Sequence, residues 1–312
     1  MIAPNRDDKP THCPLCMGKG IVHEGPRRIS PDKQLDAFEG LDVYICESCG
    51  FGFAYPQPDA EASTRYYEDI YRPRHYEKIE KGQWPIPDTR SIAQLYLAQL
   101  FCKFNNDDVF LDVGVGVGAS LTSAQMILNR PSLAIVEKNM RTIDFLKKEF
   151  PSLKIFSDIE NAKKSKINAK IVLMSHSLEH FYANDILGLI KEIRSILDED
   201  GVFVIEVPHC DYRAPLFNKG KADALHISFF SVDSFHRMAE NCKLNILYID
   251  TFSHPKNMSR IEHNNERRIS FNKAGMRDEK TINLAKTLRN GFFLPVKDGS
   301  VIRAVLSCNK SA

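Results

Sequence analysis

The stretch Val109-Phe110-Leu111-Asp112-Val113-Gly114-Val115-Gly116-Val117-Gly118 decides the fold of this chain. An apolar run leads into three glycines that alternate with other residues, and a helical pattern follows over 119–128. Glycine permits a tight turn and lets a ligand approach the main chain closely. The stretch therefore predicts a strand, a ligand-binding loop and a helix in that order. The alternative is a strand-to-helix turn that binds nothing.

Short β-rich runs alternate with helical patterns on both sides of this loop, over residues 108–250. Such alternation is typical of a parallel sheet with helices on both faces. The candidate strands are 109–113, 133–137, 154–156, 171–175, 202–207 and 244–250. The pair Asp200-Gly201 is predicted to break the chain before one of them. A last strand is predicted at 300–308, after the turn signal Asp298-Gly299.

Two carboxylates indicate what the loop binds. Asp112 precedes the first glycine by two residues, and the spacing Gly-x-Gly-x-x-Gly of dinucleotide sites is absent. A carboxylate at this position would repel a pyrophosphate, but it suits a ligand with an ammonium group. Glu137 ends the next predicted strand, where a carboxylate can accept both hydroxyls of a ribose.

These motifs resemble the class I S-adenosylmethionine-dependent methyltransferases. Asp158-Ile159 matches the adenine-side position of that family, and the segment 173–181 matches its fourth strand and the following turn. Lys170 departs from the pattern, because many relatives begin that strand with an aspartate that often orients the glycine loop. The cofactor-binding residues that the resemblance implies are Asp112, Gly114, Gly116, Gly118, Glu137, Asp158, Ile159, Ser175 and His176.

The resemblance also implies a fold and a methyl donor. The expected fold is an α/β, Rossmann-like sheet of seven strands flanked by helices, with the last strand antiparallel. The expected cofactor is S-adenosylmethionine. The resemblance covers about 105–250 and the final strand.

Four of the eight cysteines form two Cys-x-x-Cys pairs near the N-terminus, namely Cys13 with Cys16 and Cys46 with Cys49. Two such pairs can bring four thiolates to one tetrahedral point, which suits Zn²⁺. Four cysteines leave no open coordination position, so a structural zinc is favoured over a catalytic or redox site. The pattern predicts a small zinc-ribbon-like lobe.

Three residues are candidates for acid–base chemistry. Two of them follow the predicted fourth strand, and the third precedes a later helix. His180 is the candidate base, because it follows the strand at the edge where ligands bind and its pKa lies near neutrality. Glu179 precedes it and can orient a neighbour, and His226 is a second candidate base. The alternative is that the histidines cap helices or form structural hydrogen bonds.

An aromatic and basic stretch, with Tyr71, Arg72, Arg74 and Tyr76 followed by Trp84, suits a sugar or phosphate. The alternative is a linker helix that packs its rings on the main domain. The order of zinc lobe, tyrosine cluster and glycine loop is similar to the bacterial deoxysugar C-methyltransferases. That resemblance implies a proton-transfer role for Glu179 and His180 and a site role for Tyr71 or Tyr76. The chain is shorter than the C-methyltransferases, so O-methylation is at least as well favoured.

The sequence predicts three regions, which are a zinc lobe over 1–60, a helical aromatic linker or substrate cap over 61–105, and a methyltransferase domain over 106–312 with an insertion at 252–299. The 312 residues are 43% hydrophobic and carry a net charge of +2, which excludes wholesale disorder. No apolar run approaches the length of a membrane span, and a cytoplasmic location is predicted. The oligomeric state is open.

The favoured function is methylation of a small sugar-like molecule, nucleotide-linked or in polysaccharide synthesis. A zinc-containing RNA methyltransferase is the alternative enzyme, since residues 251–312 carry 12 basic and 5 acidic side chains that could follow phosphates. The near-neutral total charge makes nucleic acid the less favoured partner. A cofactor-binding module without catalysis is the third hypothesis.

Overall fold

The computed structural model describes residues 9–26, 40–67, 87–210, 226–252 and 301–308. Three strands lie in the N-terminal region: β1 (Ile21–Pro26), β2 (Asp42–Cys46) and β3 (Gly52–Tyr55). Six follow: β4 (Val109–Val113), β5 (Ser132–Val136), β6 (Lys154–Phe156), β7 (Ala169–Ser175), β8 (Leu197–Pro208) and the two-residue β9 (Ser228–Phe229). The last two are β10 (Asn245–Phe252) and β11 (Val301–Ser307).

Seven of these strands form the main sheet, in the order β10-β11-β8-β7-β4-β5-β6. The strands β6, β5, β4, β7 and β8 pair in parallel. The final strand β11 pairs antiparallel with both β8 and β10. The predicted seven-stranded sheet with an antiparallel last strand is therefore confirmed.

The helices between the strands are α1 (Ala60–Arg65), α2 (Thr89–Ala98), α3 (Ala119–Ile127), α4 (Met140–Glu149), α5 (Ile159–Lys164), α6 (Ile186–Ile196) and α7 (Val232–Asn241). Short polar residues begin several of them by accepting the orphan backbone N–H groups of the first turn. Ser231 forms a capping box with Ser234 at the start of α7.

Apolar side chains on both faces of the sheet form the core. Leu111, Val172 and Phe203 pack in the cluster on one face, and Phe110, Ile171 and Val204 pack in the cluster on the other. Because a parallel sheet between helices is buried on both faces, its strands are continuous apolar runs rather than alternating ones. This burial explains why the strands could be predicted from the sequence as apolar runs.

The predicted chain break at Asp200-Gly201 is wrong in detail. Strand β8 begins at Leu197, so Asp200-Gly201 lies inside it rather than before it. The register with β7 shifts there, from Ala169 opposite Leu197 to Ile171 opposite Val202, so the pairing of the two strands is interrupted at this pair.

The N-terminal strands form a second, antiparallel sheet in the order β1-β2-β3-β9. Its fourth strand, β9, is distant from the other three in the sequence, and Phe53 on β3 lies opposite Ser228 on β9. Ser231 Oγ donates to the Cys49 carbonyl at 2.7 Å, and Asn241 Nδ2 donates to the Leu15 carbonyl at 2.7 Å. The cysteine-bearing region is thus tied to α7.

Within the described ranges, no helix combines the length and the apolar character that a membrane crossing requires.

Candidate active site

The glycine loop joins β4 to α3 at the carboxyl edge of the sheet. Gly114, Gly116 and Gly118 all have positive φ, at 85°, 57° and 86°. A Cβ on Gly114 would lie 2.7 Å from Ser177 Cβ, whereas a Cβ on Gly116 would meet nothing within 4 Å. Ser177 Oγ donates to the Val113 carbonyl at 2.9 Å, so the turn after β7 holds the loop from one side. The open side at Gly116 is where a ligand can approach the main chain.

Substituting the two loop glycines by alanine is expected to separate folding from ligand access. Gly114→Ala should lower the free energy of unfolding by about 2–4 kcal/mol, because left-handed strain adds to the contact with Ser177. Gly116→Ala should cost only about 1–2 kcal/mol of strain but still weaken cofactor binding. Urea unfolding and calorimetry measure the two effects, and equal stability losses would contradict this account. Ser177→Gly should recover part of the Gly114→Ala loss.

Asp112 lies at the end of β4 and is buried. Its carboxylate accepts a hydrogen bond from the Ser120 hydroxyl on α3. Burial raises its pKa to about 7, although the Ser120 hydrogen bond opposes the rise. A buried carboxylate that resists ionisation is suited to a cationic partner, because an ammonium group would stabilise its charged form.

This raised pKa predicts a pH dependence. The protonated form of Asp112 contributes to stability at low pH, and that contribution is lost as the pH rises through about 7. If an ammonium group pairs with ionised Asp112, cofactor affinity should rise between about pH 6 and about pH 8. Calorimetry with S-adenosylhomocysteine (SAH) across this range measures the effect. Asp112→Asn should remove the pH dependence, and an identical slope in that variant would rule out Asp112 as its source.

Glu137 follows β5 at the same edge and is buried. Its Oε1 accepts the backbone N–H of Lys138 at 2.9 Å and of Asn139 at 2.8 Å. Its own N–H donates to the Phe156 carbonyl at 3.0 Å. The main chain thus fixes a carboxylate beside the loop, at the place predicted for ribose recognition.

Asp158 and Ile159 follow β6 at this edge. Asp158 accepts the Asn161 N–H at 2.7 Å as the cap of α5 and is partly exposed, whereas Ile159 is buried. Ser175 ends β7 and accepts a hydrogen bond from Gln94 Nε2 at 2.8 Å. Gln94 is fully buried, and its Oε1 has no hydrogen-bond partner among the described residues. The open glycine, the fixed Glu137 carboxylate and this unpartnered amide oxygen fit a polar cofactor along the edge.

Charged side chains from β8, β11 and the turn after β7 form a buried cluster. Glu206 on β8 accepts from Arg303 Nε on β11 at 2.6 Å and faces Arg90 Nε at 3.3 Å. His176 Nε2 lies 3.3 Å from Glu206 Oε1, and His176 Nδ1 lies 3.3 Å from Glu179 Oε1. His176 therefore bridges two buried carboxylates with its ring.

The charges in this cluster shift one another's titration. Burial lowers the pKa of His176, but hydrogen bonds to Glu179 and Glu206 outweigh burial and raise it overall. Burial raises the pKa of Glu206, but the nearby Arg303 charge and the His176 hydrogen bond outweigh it and hold the pKa below its usual range. The cluster is thus arranged to keep both carboxylates ionised.

The structure brings Glu179, His180 and His226 together. Glu179 and His180 lie in a short 3-10 turn, Leu178–His180. The main chain links this turn to the later segment, since Ile227 N donates to the Glu179 carbonyl at 3.0 Å. The rings of His180 and His226 have centroids 5.1 Å apart, and the Tyr67 ring meets His180 edge-on at 6.0 Å. The two candidate bases, His180 and His226, and the Glu179 carboxylate thus share one site.

The four N-terminal cysteines converge. Their Sγ atoms all lie within 4.8 Å of one another, with Cys13 and Cys49 3.8 Å apart and Cys16 and Cys46 3.5 Å apart. Four sulfurs bonded to a tetrahedral Zn²⁺ at about 2.3 Å would be separated by about 3.8 Å. The N–H groups of Leu15 and Gly18 each donate to a cysteine sulfur at 3.4 Å, which stabilises thiolates. The four cysteines therefore fit one metal ion.

The predicted substrate residues Tyr71, Arg72, Arg74, Tyr76 and Trp84 lie outside the described residues. Sequence reasoning overlooked Gln94, Glu206 and Arg303. A glutamate inside the apolar run of β8 and an arginine inside the apolar run of β11 are the signal that could have identified the last two. Opposite charges in two buried strands indicate a pair, and these residues are direct neighbours in the register.

The sequence profile of the methyltransferase-domain family matches residues 88–249, just over half of the chain. The chain therefore belongs to that family. None of the curated proteins compared matches the chain.

Among solved structures, the chain is similar to the plantazolicin methyltransferase BpumL in complex with SAH, at 16% identity and a TM-score of 0.49, covering 78% of this chain and 92% of that one. It is also similar to a SAM-dependent methyltransferase from Archaeoglobus fulgidus, at 17% identity and a TM-score of 0.46, covering 76% and 99%.

Proposed function

We propose that this protein transfers a methyl group from S-adenosylmethionine to a hydroxyl of a small sugar-like molecule, nucleotide-linked or a polysaccharide precursor. The observation that carries the proposal is that a cofactor-binding cradle and a cluster of one glutamate and two histidines lie at the same edge of the sheet. Asp112, the glycine loop and Glu137 form a cofactor cradle. Glu179 and His180 follow the adjacent strand β7, and His226, just before β9, lies beside them.

The cofactor would be held by residues that the chain already orients. Asp112 would receive its ammonium group, Glu137 its ribose hydroxyls, and the Asp158-Ile159 segment its adenine. S-adenosylmethionine supplies a methyl group already activated on a sulfonium. The protein then needs to exclude water, align the acceptor and accept its proton.

When no metal ion is bound beside it, His180 is the candidate proton acceptor. The Tyr67 ring packs edge-on against it, and the buried carboxylate of Glu179 lies in the same turn. Burial raises the pKa of Glu179, but the hydrogen bond from His176 and the nearby charges of His180 and His226 lower it overall. An ionised Glu179 stabilises a positive charge on either histidine, so a proton taken from an acceptor hydroxyl is retained at the site.

The lobe would carry a structural zinc on Cys13, Cys16, Cys46 and Cys49. Four buried or half-buried thiolates around one point leave no position for a substrate. The zinc supports the proposed site indirectly, because β9 completes the lobe sheet two residues after His226. The division into regions 1–60, 61–105 and 106–312, and the cytoplasmic location, stay predictions.

The experiment uses S-adenosylmethionine with a labelled methyl group. The purified protein is incubated with separate pools of nucleotide sugars, glycans and RNA. Label in a carbohydrate pool, lost or at least about tenfold slower in His180→Ala with unchanged SAH affinity, is the expected result. Label confined to RNA would overturn the sugar assignment. No SAH binding would favour a module without methyl transfer. His236→Ala, on the exposed face of α7, is the matched control.

A further inference from the structure

We propose that Glu179, His180 and His226 bind a divalent transition-metal cation, and that this cation holds the acceptor hydroxyl. Only one part of this inference rests on the proposed function, namely that the group bound to the cation is the acceptor hydroxyl. The cation site itself is argued from the three side chains.

The geometry suits a single ion. Each residue offers one ligand atom, and the three atoms lie within 4.8 Å of one another. Glu179 Oε1 is 3.7 Å from His226 Nε2. Adjacent ligands around an ion with bonds of about 2.1 Å are separated by about 3 Å, so small side-chain rotations close the site.

A second observation comes from Glu179. Its side chain is 1% exposed, yet its Oε2 makes no hydrogen bond within the part of the chain that the structure describes. A buried carboxylate oxygen without a hydrogen bond is costly. His176 faces Oε1 at 3.3 Å, which leaves Oε2 to be satisfied by another group. A cation between Glu179 and the two histidines would remove this cost.

The donor set indicates the kind of ion. Two imidazole nitrogens and one carboxylate form the facial set that binds divalent iron and similar ions and leaves positions open. His180 and His226 are both only partly buried, so the open positions can face a substrate. These ligands differ from the four-thiolate set in the lobe, which favours zinc. The chain therefore offers two metal sites of different chemistry.

The cation changes the role proposed for His180 from proton acceptor to ligand. A hydroxyl oxygen bound to the cation loses its proton to water more easily, because the positive charge stabilises the alkoxide. The oxygen then forms a bond to the methyl carbon. The bond between that carbon and sulfur breaks, and its electron pair stays on sulfur. His176 would orient Glu179 through the contact at 3.3 Å.

The test is Mn²⁺ binding to the full zinc-loaded chain, measured by electron paramagnetic resonance without any substrate. We expect one Mn²⁺ per chain, with nitrogen couplings from imidazole in pulsed spectra. Glu179→Gln and His226→Gln should each weaken binding by at least about tenfold, and the second should also remove one nitrogen coupling. His236→Gln, an exposed histidine on α7, should bind as the native chain does. Zinc content and circular dichroism check that each variant is folded.

Two results would overturn the inference. The first is the absence of Mn²⁺ binding, or unchanged affinity in both variants. The second is Mn²⁺ binding combined with a full methyl-transfer rate after a chelator has removed every ion except the lobe zinc. Mn²⁺ binding without methyl transfer to any carbohydrate would instead refute the proposed function and leave the cation site standing.

Discussion

Replacing Glu137 with alanine is expected to lower the affinity for SAH by about 100-fold, which corresponds to about 2.7 kcal/mol. The side chain is buried, and two backbone N–H groups fix its carboxylate beside the glycine loop. A carboxylate held in this way needs no reorganisation when it accepts ribose hydroxyls, so its loss removes preorganised binding. Calorimetric titration with SAH gives the affinity directly.

Two further variants make the Glu137 result specific. Glu137→Gln keeps the volume and one acceptor oxygen, and it should lose less affinity than the alanine variant. Glu160→Ala removes an exposed carboxylate that pairs with Lys164 on α5, and it should bind SAH normally. An affinity within about twofold of the native value in Glu137→Ala would exclude this residue from cofactor recognition.

Replacing Cys46 with serine is expected to abolish stoichiometric zinc binding and to unfold the lobe. Structural zinc contributes on the order of 10 kcal/mol in small metal-dependent domains, which is more than a lobe of three short strands can replace. Its effect should reach the active site, because β3 pairs with β9 directly after the His226 segment. Methyl transfer should therefore fall more than SAH affinity.

Metal analysis and hydrogen exchange measure this outcome. Exchange should accelerate in β2, β3 and β9 but not in β4 or β5. Cys308→Ser makes the same chemical change at a half-buried cysteine outside the cluster and should keep its zinc. Full activity and unchanged exchange in zinc-free Cys46→Ser would refute a structural role for the metal.

The main sheet could be predicted because its information is local. The run 109–113 matches β4, and 154–156 matches β6, since each is a short apolar stretch between turn residues. The capping residue Ser231 was also predictable, because its side chain acts on its own helix. Asp112 lies at the end of β4 and Glu137 directly follows β5, so topology alone places them at one edge.

The charged cluster could not be predicted in the same way. Glu206 and Arg303 are almost a hundred residues apart in the chain, and only the insertion of β11 beside β8 brings them together. The strand β9 has two residues and no pattern of its own, and it exists because β3 offers an edge. Asp200-Gly201 is a turn signal that the neighbouring strand β7 overrides by pairing on both sides of it. Each case depends on contacts that are distant in sequence.

The pairing of β3 with β9 has a consequence for how the protein is made. Ribosomes deliver the N-terminus first, so the four cysteines emerge long before Ser228 and Phe229. Zinc can then join the two cysteine pairs on the nascent chain, but the sheet stays one strand short until residue 229 has left the exit tunnel. The metal would hold this open edge in register while translation continues, and the proposed site at His180 and His226 would assemble only when β9 docks.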